Sequence, residues 1–204
     1  EYLAVVKKAA GYYGSLRDRF CPGAPLWVTE AGDAGGGGNT WGPTFLDVFR
    51  TVNELGSFAA VTDGIIFHNT LASSDYGYLD PVTHLPRPNY WAVCLWNRVM
   101  GTTVYDPGIS QREGAHIYVH SRRDGRDGFA YAVINNSPKE TTVLEFEGKA
   151  EVYVLSAEHI RSQRMQINGK TAELSREGTM PEIVPKTAAG RLELLPLTIA
   201  YLVI

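Results

Sequence analysis

Glu30 is the acidic residue best placed for chemistry. It closes Leu26-Trp27-Val28-Thr29-Glu30, a short run whose apolar part, Leu26 to Val28, reads as a buried strand. The glycine-rich stretch Ala34-Gly35-Gly36-Gly37-Gly38 follows almost at once. A buried strand seldom ends on a carboxylate without cause, because an unpaired buried charge is costly. In an α/β barrel, the C-terminal end of a strand is where catalytic groups sit. Glycines lack Cβ, so successive backbone N–H groups can approach a ligand closely and cradle an anion. The combination therefore suggests a catalytic carboxylate beside an anion seat. The competing reading is a plain surface loop that happens to begin with Glu.

A second such junction follows. Ile65-Ile66-Phe67-His68 is another strand-type run, entered from the polar pair Thr62-Asp63. It leads into Asn69 and a long polar and aromatic loop ending Asp75-Tyr76-Gly77-Tyr78.

Helices must hold these two junctions. Glu1 to about Phe20 predicts an amphipathic helix, with Leu3, Val6, Ala10, Tyr13 and Leu16 at helical spacing. Cys21-Pro22-Gly23 breaks it. A second helix runs from Pro43 to Leu55, with Phe45, Val48, Phe49 and Val52 on its apolar face and Gly56 ending it. A third spans Asn89 to Met100 and closes at Gly101. Alternation of helix and strand implies parallel strands joined by crossover helices.

Beyond Gly101 the pattern changes. Short alternating segments occur at His116–His120, Phe129–Ile134, Thr142–Phe146, Val152–Leu155, Met165–Ile167, Leu192–Leu195 and Ile199–Ile204, separated by turn signals such as Asp124-Gly125 and Asn168-Gly169. They predict an antiparallel β-sandwich. The expected division is residues 1–101 and 102–204. Two parallel strands cannot close an α/β barrel, which needs eight, and parallel strands need cover on both faces. The first part therefore reads as the end of a larger domain, and the chain as a processed piece or a fragment.

Composition narrows the function. The 204 residues carry a net charge of −3, with 44% hydrophobic and 20% charged residues, ordinary for a globular protein. No basic stripe suits nucleic acid as the main partner. No apolar run approaches the roughly 20 residues of a membrane span. The two cysteines, Cys21 and Cys94, have no metal-binding spacing and read as unpaired thiols. No cofactor or metal is expected.

These residues resemble a known family. Trp27-Val28-Thr29-Glu30 with Ala34-Gly35-Gly36-Gly37 is similar to the nucleophile strand and glycine loop of glycoside hydrolase family 79, the heparanases and β-glucuronidases. Asp75-Tyr76-Gly77-Tyr78-Leu79-Asp80 resembles the family's tyrosine loop. Leu85-Pro86, Asn89-Tyr90-Trp91 and Val99-Met100-Gly101-Thr102 resemble its last barrel helix and exit, and Gln166-Ile167-Asn168-Gly169 with Leu197–Ile204 its sandwich. The resemblance runs along nearly the whole chain and implies a C-terminal half: the last two strands and flanking helices of a (β/α)8 barrel, followed by an antiparallel β-sandwich.

By that resemblance Glu30 is the nucleophile of a retaining glycosidase. A carboxylate suits this role, since it attacks an oxocarbenium-like centre and also stabilises its charge. The resemblance further implies that Gly36 and Gly37 donate to a sugar carboxylate, that Tyr76 adds its phenol, and that His68 and Asn69 face the cleft and bond sugar hydroxyls. The general acid, about 5–5.5 Å from the nucleophile in retaining enzymes, would come from the fourth strand, on a companion chain or segment carrying the first six strands. Asn53-Glu54 matches the dipeptide that marks the acid in related barrels, but its place at a helix end reads as a solvated pair. The expected substrate is a uronic-acid-containing oligo- or polysaccharide, and the resemblance favours a secreted or periplasmic protein. Trp41 could stack on a sugar or simply pack, and the role of Asp33 stays open. Long basic tracts are missing, and Arg122-Arg123 with Arg126 reads as a solvated turn, which leaves open a β-glucuronidase or an endo-enzyme on another glycan. Two other readings remain: the same architecture acting on a neutral sugar such as arabinofuranose or xylose, and a non-catalytic sandwich or interaction fragment.

Overall fold

The computed structural model describes residues 3–62, 64–109 and 115–204. The helix start at Glu1 and the Asp63 of the second strand's approach lie outside them.

The first hundred residues alternate helix and strand: α1 (Leu3–Phe20), β1 (Val28–Ala31), α2 (Phe45–Ala59), β2 (Ile66–His68) and α3 (Pro88–Val99). β1 and β2 pair in parallel as a two-stranded sheet. Pro88 starts α3, where a proline's missing N–H costs nothing. α1 turns Leu3, Ala10 and Gly14 inward, but Tyr13 is exposed beside Tyr12, off the predicted apolar face.

α2 does not stop at Gly56 as predicted but continues to Ala59. Gly56 is a contact point rather than a cap. A Cβ there would lie 2.2 Å from the Tyr118 ring of the following sheet, so only glycine lets the two elements approach this closely.

From Met100 on, every strand among the described residues is antiparallel: β3 (Met100–Tyr105), β4 (His116–Arg122), β5 (Phe129–Asn135), β6 (Thr142–Ser156), β7 (Gln166–Ile167), β8 (Lys170–Thr171), β9 (Lys186–Leu194) and β10 (Thr198–Val203). They form one eight-stranded sheet in the order β3-β4-β5-β10-β6-β7-β8, with β9 also on β6. Two segments predicted separately, Thr142–Phe146 and Val152–Leu155, are one 15-residue strand, β6, with an irregularity between Glu145 and Lys149. β3 was not predicted at all. Met100 leaves α3 and enters the sheet with no connecting loop.

Period-two alternation sorts the sheet's side chains onto two faces. Ile199, Tyr201 and Val203 of β10, with Ala130, Ala132 and Ile134 of β5, pack under α2 and α3 against Val48, Val52, Trp91 and Leu95. Ala200, Leu202, Val133, Val152 and Leu194 form a separate buried cluster on the other face. The helices and the sheet thus share a core.

Candidate active site

Glu30 stands at the C-terminal end of β1 and is exposed. A bulge puts it there. Val28 pairs with Ile66 and Ala31 with His68, so three steps on β1 match two on β2. The extra residue breaks the alternation, as bulges near functional sites often do. Trp27 and Glu30, three positions apart, are both exposed, while Ala31 is buried.

On β2 the face carrying Ile65 and Phe67 continues to Asn69, whose backbone N–H donates to Ala31 O at 2.7 Å. The Asn69 amide donates to Glu30 Oε1 at 2.6 Å. Asn69 therefore reaches the carboxylate of the neighbouring strand. The same face presents large apolar side chains to solvent: Trp27 is 53% and Phe67 44% exposed, with their rings 6.2 Å apart.

His68 turns the other way. Its Nε2–H donates to Tyr76 O at 2.7 Å, and its ring stacks on Tyr78 at 4.0 Å. Burial pulls its pKa below the usual histidine value, so the ring is neutral at pH 7. The same burial pushes the Tyr78 phenol up to about 12. His68 thus clasps the tyrosine loop.

The Tyr76 ring is 4% exposed. It lies between Gly32 and Gly38, where an added Cβ would come within 2.7 Å of it at either position. It is the post around which the glycine loop winds. Gly36, Gly37 and Gly38 take φ of 80°, 103° and 94°, backbone that other residues rarely adopt. Space is open beyond Gly36 and Gly37, so what requires glycine there is the backbone, not crowding. Gly37 O accepts the Asp75 N–H at 2.9 Å, tying the glycine loop to the tyrosine loop.

A buried polar strut supports both loops from behind. The Asn89 amide donates to Tyr76 O at 2.8 Å and to Asp47 Oδ2 at 2.9 Å. Asp47 is ion-paired with Arg50 at 2.6 Å, and Arg50 also binds Glu54. Arg87 donates to Ser74 O and Asp75 O, each at 2.6 Å. Sequence reasoning missed Asp47, Arg87 and Asn89. A signal was present: three polar residues flank or interrupt otherwise apolar helix starts.

The Asn53-Glu54 pair is not the solvated helix end expected of it. Asn53 is 1% exposed, donates to Leu3 O at 3.0 Å and accepts from Tyr118 Oη at 2.6 Å, inside α2. Burial raises the Glu54 pKa, and Arg50 opposes that shift. Asn53 lies between helix and sheet, and Glu54 pairs with Arg50. Asp33 sits beneath the glycine loop with both carboxylate oxygens buried. Burial, then the nearby Asp47 charge, raises its pKa. Trp41 lines a mostly apolar cavity of about 380 Å³ with Leu3, Leu46 and Phe49. Cys21 and Cys94 are both free. Among the described residues no cluster of three or more His, Cys, Asp or Glu could hold a metal ion, and no helix is long and apolar enough to cross a membrane.

The arrangement is an accessible carboxylate oriented by an amide, beside a loop of left-handed glycines, above an uncovered apolar strand face. No protein-family model matches the chain. Individual relatives do. The chain is 27% identical, over 87% of its length, to the baicalin-β-D-glucuronidase of Scutellaria baicalensis, covering 36% of that protein. It is 26% identical to heparanase-like protein 1 of Arabidopsis thaliana over all of its length, covering 45%. It is also 23% identical to inactive heparanase-2 of Homo sapiens over 91% of its length, covering 36%. The chain thus spans less than half of the curated relatives it matches. Among solved structures, a 4-O-α-L-rhamnosyl-β-D-glucuronidase of Fusarium oxysporum superposes with a TM-score of 0.67 at 14% identity, across 99% of this chain and 50% of that one. The GH51 α-L-arabinofuranosidase of Thermotoga petrophila gives 0.66 at 13% identity, across 100% and 48%. At such identities these two establish the fold alone: part of a barrel followed by an antiparallel sheet.

Proposed function

The chain is homologous over most of its length to the heparanases and β-glucuronidases of glycoside hydrolase family 79, and from that premise we propose that it carries the nucleophile of a retaining hydrolase of β-linked glucuronides. The observation that supports this most is the accessible Glu30 carboxylate, held by Asn69 at 2.6 Å at the end of two parallel strands. In the first step Glu30 attacks the anomeric carbon. A second carboxyl protonates the departing oxygen, and a glycosyl ester forms. Water then hydrolyses that ester, with the second carboxyl now acting as base. An exposed partner such as Asn69 holds one carboxylate oxygen and leaves the other directed for attack.

The second carboxyl belongs, in this proposal, to a segment or companion chain outside these 204 residues, together with six further barrel strands. The exposed Trp27, Ile65 and Phe67 form the face those strands would cover. The glycine loop offers backbone N–H groups to the uronate carboxylate, and Tyr76 fixes the loop and adds its phenol at its edge.

The test is substrate discrimination by the protein with its barrel complete. Aryl β-glucuronide should be hydrolysed far faster than aryl arabinofuranoside or xyloside, and Glu30→Gln should remove that turnover. Preference for a neutral glycoside would transfer the chain to the neutral-sugar reading. Similarity to inactive heparanase-2 favours a second reading, in which the fold binds glycan without turnover. Absence of hydrolysis on every aryl glycoside, with glucuronide still bound, would select it.

A further inference from the structure

We propose that the groove between the loop leaving β2 and the β7–β8 end of the antiparallel sheet is a distal glycan subsite, which takes sugar residues beyond the one at Glu30. This rests on the glucuronidase reading above and extends it from a single sugar to an oligosaccharide. The groove holds about 410 Å³. One wall is the stretch from Asp80 to Pro88, and the other runs from Gln163 to Leu174.

Its position follows from the connections. Asn69, which touches Glu30, is followed by Thr70 and Leu71, whose carbonyls accept the Tyr78 and Leu79 N–H groups at 3.2 and 2.7 Å. Asp80 is the next residue, so the groove begins within about 20 Å of Glu30, given ~3.3 Å per extended residue. The opposite wall is tied to the same end of the helices. The Ser162 carbonyl accepts the Phe45 N–H at the start of α2 at 2.8 Å, seven residues after Gly38. The turn leading into β7 is thus anchored at the N-terminal end of α2.

The chemistry of the groove suits a sugar. Leu85 and Pro86 give it apolar surface for C–H faces. The polar rim presents planar groups. Arg164 and Glu173 pair at 3.2 Å while 79% and 61% exposed. An ion pair this exposed contributes little to stability, yet it leaves several guanidinium donors and carboxylate lone pairs for hydroxyls. Asp80 stays ionised, its pKa held down to about 2 by the Thr83 and Val82 N–H groups. Exposed Gln163 adds an amide. Both signs of charge together with an amide fit hydroxyl-rich residues better than a purely anionic ligand.

The test uses the protein with its barrel complete and a Glu30→Gln background, so that binding is read without turnover. The probes are an aryl β-glucuronide and a tetrasaccharide of alternating glucuronic acid and N-acetylhexosamine, titrated by calorimetry. Arg164→Ala should weaken tetrasaccharide binding about tenfold, the loss of a charge-assisted hydrogen bond, and leave the aryl glucuronide within about twofold. Gln163→Trp, which fills the groove, should do the same. Equal losses for both probes, unchanged tetrasaccharide affinity, or no tetrasaccharide binding would each overturn the subsite. Failure of the nucleophile reading shows separately, as turnover that survives Glu30→Gln while tetrasaccharide affinity still depends on Arg164.

Discussion

Asn69 reaches across two parallel strands and donates its amide to the Glu30 carboxylate at 2.6 Å. The contact depends on the extra residue in β1 between Val28 and Ala31. Without that residue, Glu30 would fall on the helix-facing side, where Ala31 is now buried.

Replacing Asn69 by Ala should lower kcat for an aryl glucuronide about 10- to 100-fold, the worth of a hydrogen bond to a charged group. The melting temperature should barely move, because the contact is exposed. Steady-state kinetics beside a thermal scan checks this, and an unchanged kcat would remove Asn69 from the site.

Gly37 has φ of 103° and open space around it. Gly37→Ala should cost about 1–2 kcal/mol of backbone strain and disturb the loop without a clash. KM for the glucuronide should rise several-fold more than KM for a neutral aryl glycoside. A parallel change in both would show that the loop does not read the uronate.

Gly56→Ala separates helix propensity from packing. Propensity alone would stabilise α2 by up to about 1 kcal/mol. A methyl 2.2 Å from the buried Tyr118 ring should instead destabilise by about 1–3 kcal/mol. Urea denaturation gives the sign directly.

Burial holds the His120 pKa below its ordinary 6.5. Its Nδ1–H donates to Gly101 O at 2.8 Å, its Nε2 is buried without a hydrogen bond among the described residues, and its ring meets Trp96 edge-on. The unfolded chain therefore takes up a proton before the folded one does. Stability is full above pH 6.5 and falls as the pH drops from there through the lower folded value. His68 contributes in the same direction. His120→Gln should flatten part of this acid-side slope in melting temperatures measured from pH 7.5 to 5.

Asp33 has the opposite sense. Its raised pKa means that the carboxylate form is disfavoured in the fold. The penalty is present at neutral pH and is relieved as the pH falls through the folded value toward 3.8. Asp33→Asn should raise the melting temperature at pH 7, and the gain should shrink at acid pH. A loss at pH 7 would show instead that Arg50's attraction outweighs the burial.

Much of this was readable from the residues. A strand-type run leading to Glu30 and entering glycines signals itself through local polarity and backbone freedom; the structure puts Glu30 near the end of β1, but the strand begins only at Val28, and Leu26–Val28, expected to be buried, is half-buried with Trp27 exposed. Alternation of helix and strand, then of short strands, gave the two textures. What failed was set by distant contacts. Gly56 reads as a stop because Tyr118 is 62 residues away in sequence, and only the fold brings the ring onto it. The turn-like Glu147-Gly148 hid the continuity of β6, although the strand passes its irregularity and keeps pairing with β9. Thr102-Thr103-Val104-Tyr105 is a β-prone run that was hidden by its place directly behind a helix. His68 sits at a strand end, where cleft and loop lie on opposite sides. Nothing local says which side it takes, and the Tyr76 carbonyl decides.

A nucleophilic Glu30 forms a covalent bond to the sugar, and that bond can be trapped. The protein with its barrel complete should be treated with a glucuronide-configured cyclophellitol epoxide, which traps the nucleophile of a retaining enzyme as an ester, and then digested and mapped by mass spectrometry. One label is expected, on the peptide containing Trp27-Val28-Thr29-Glu30 and at Glu30 itself. A label on any other carboxylate, with Glu30 unmodified, would contradict a nucleophilic Glu30.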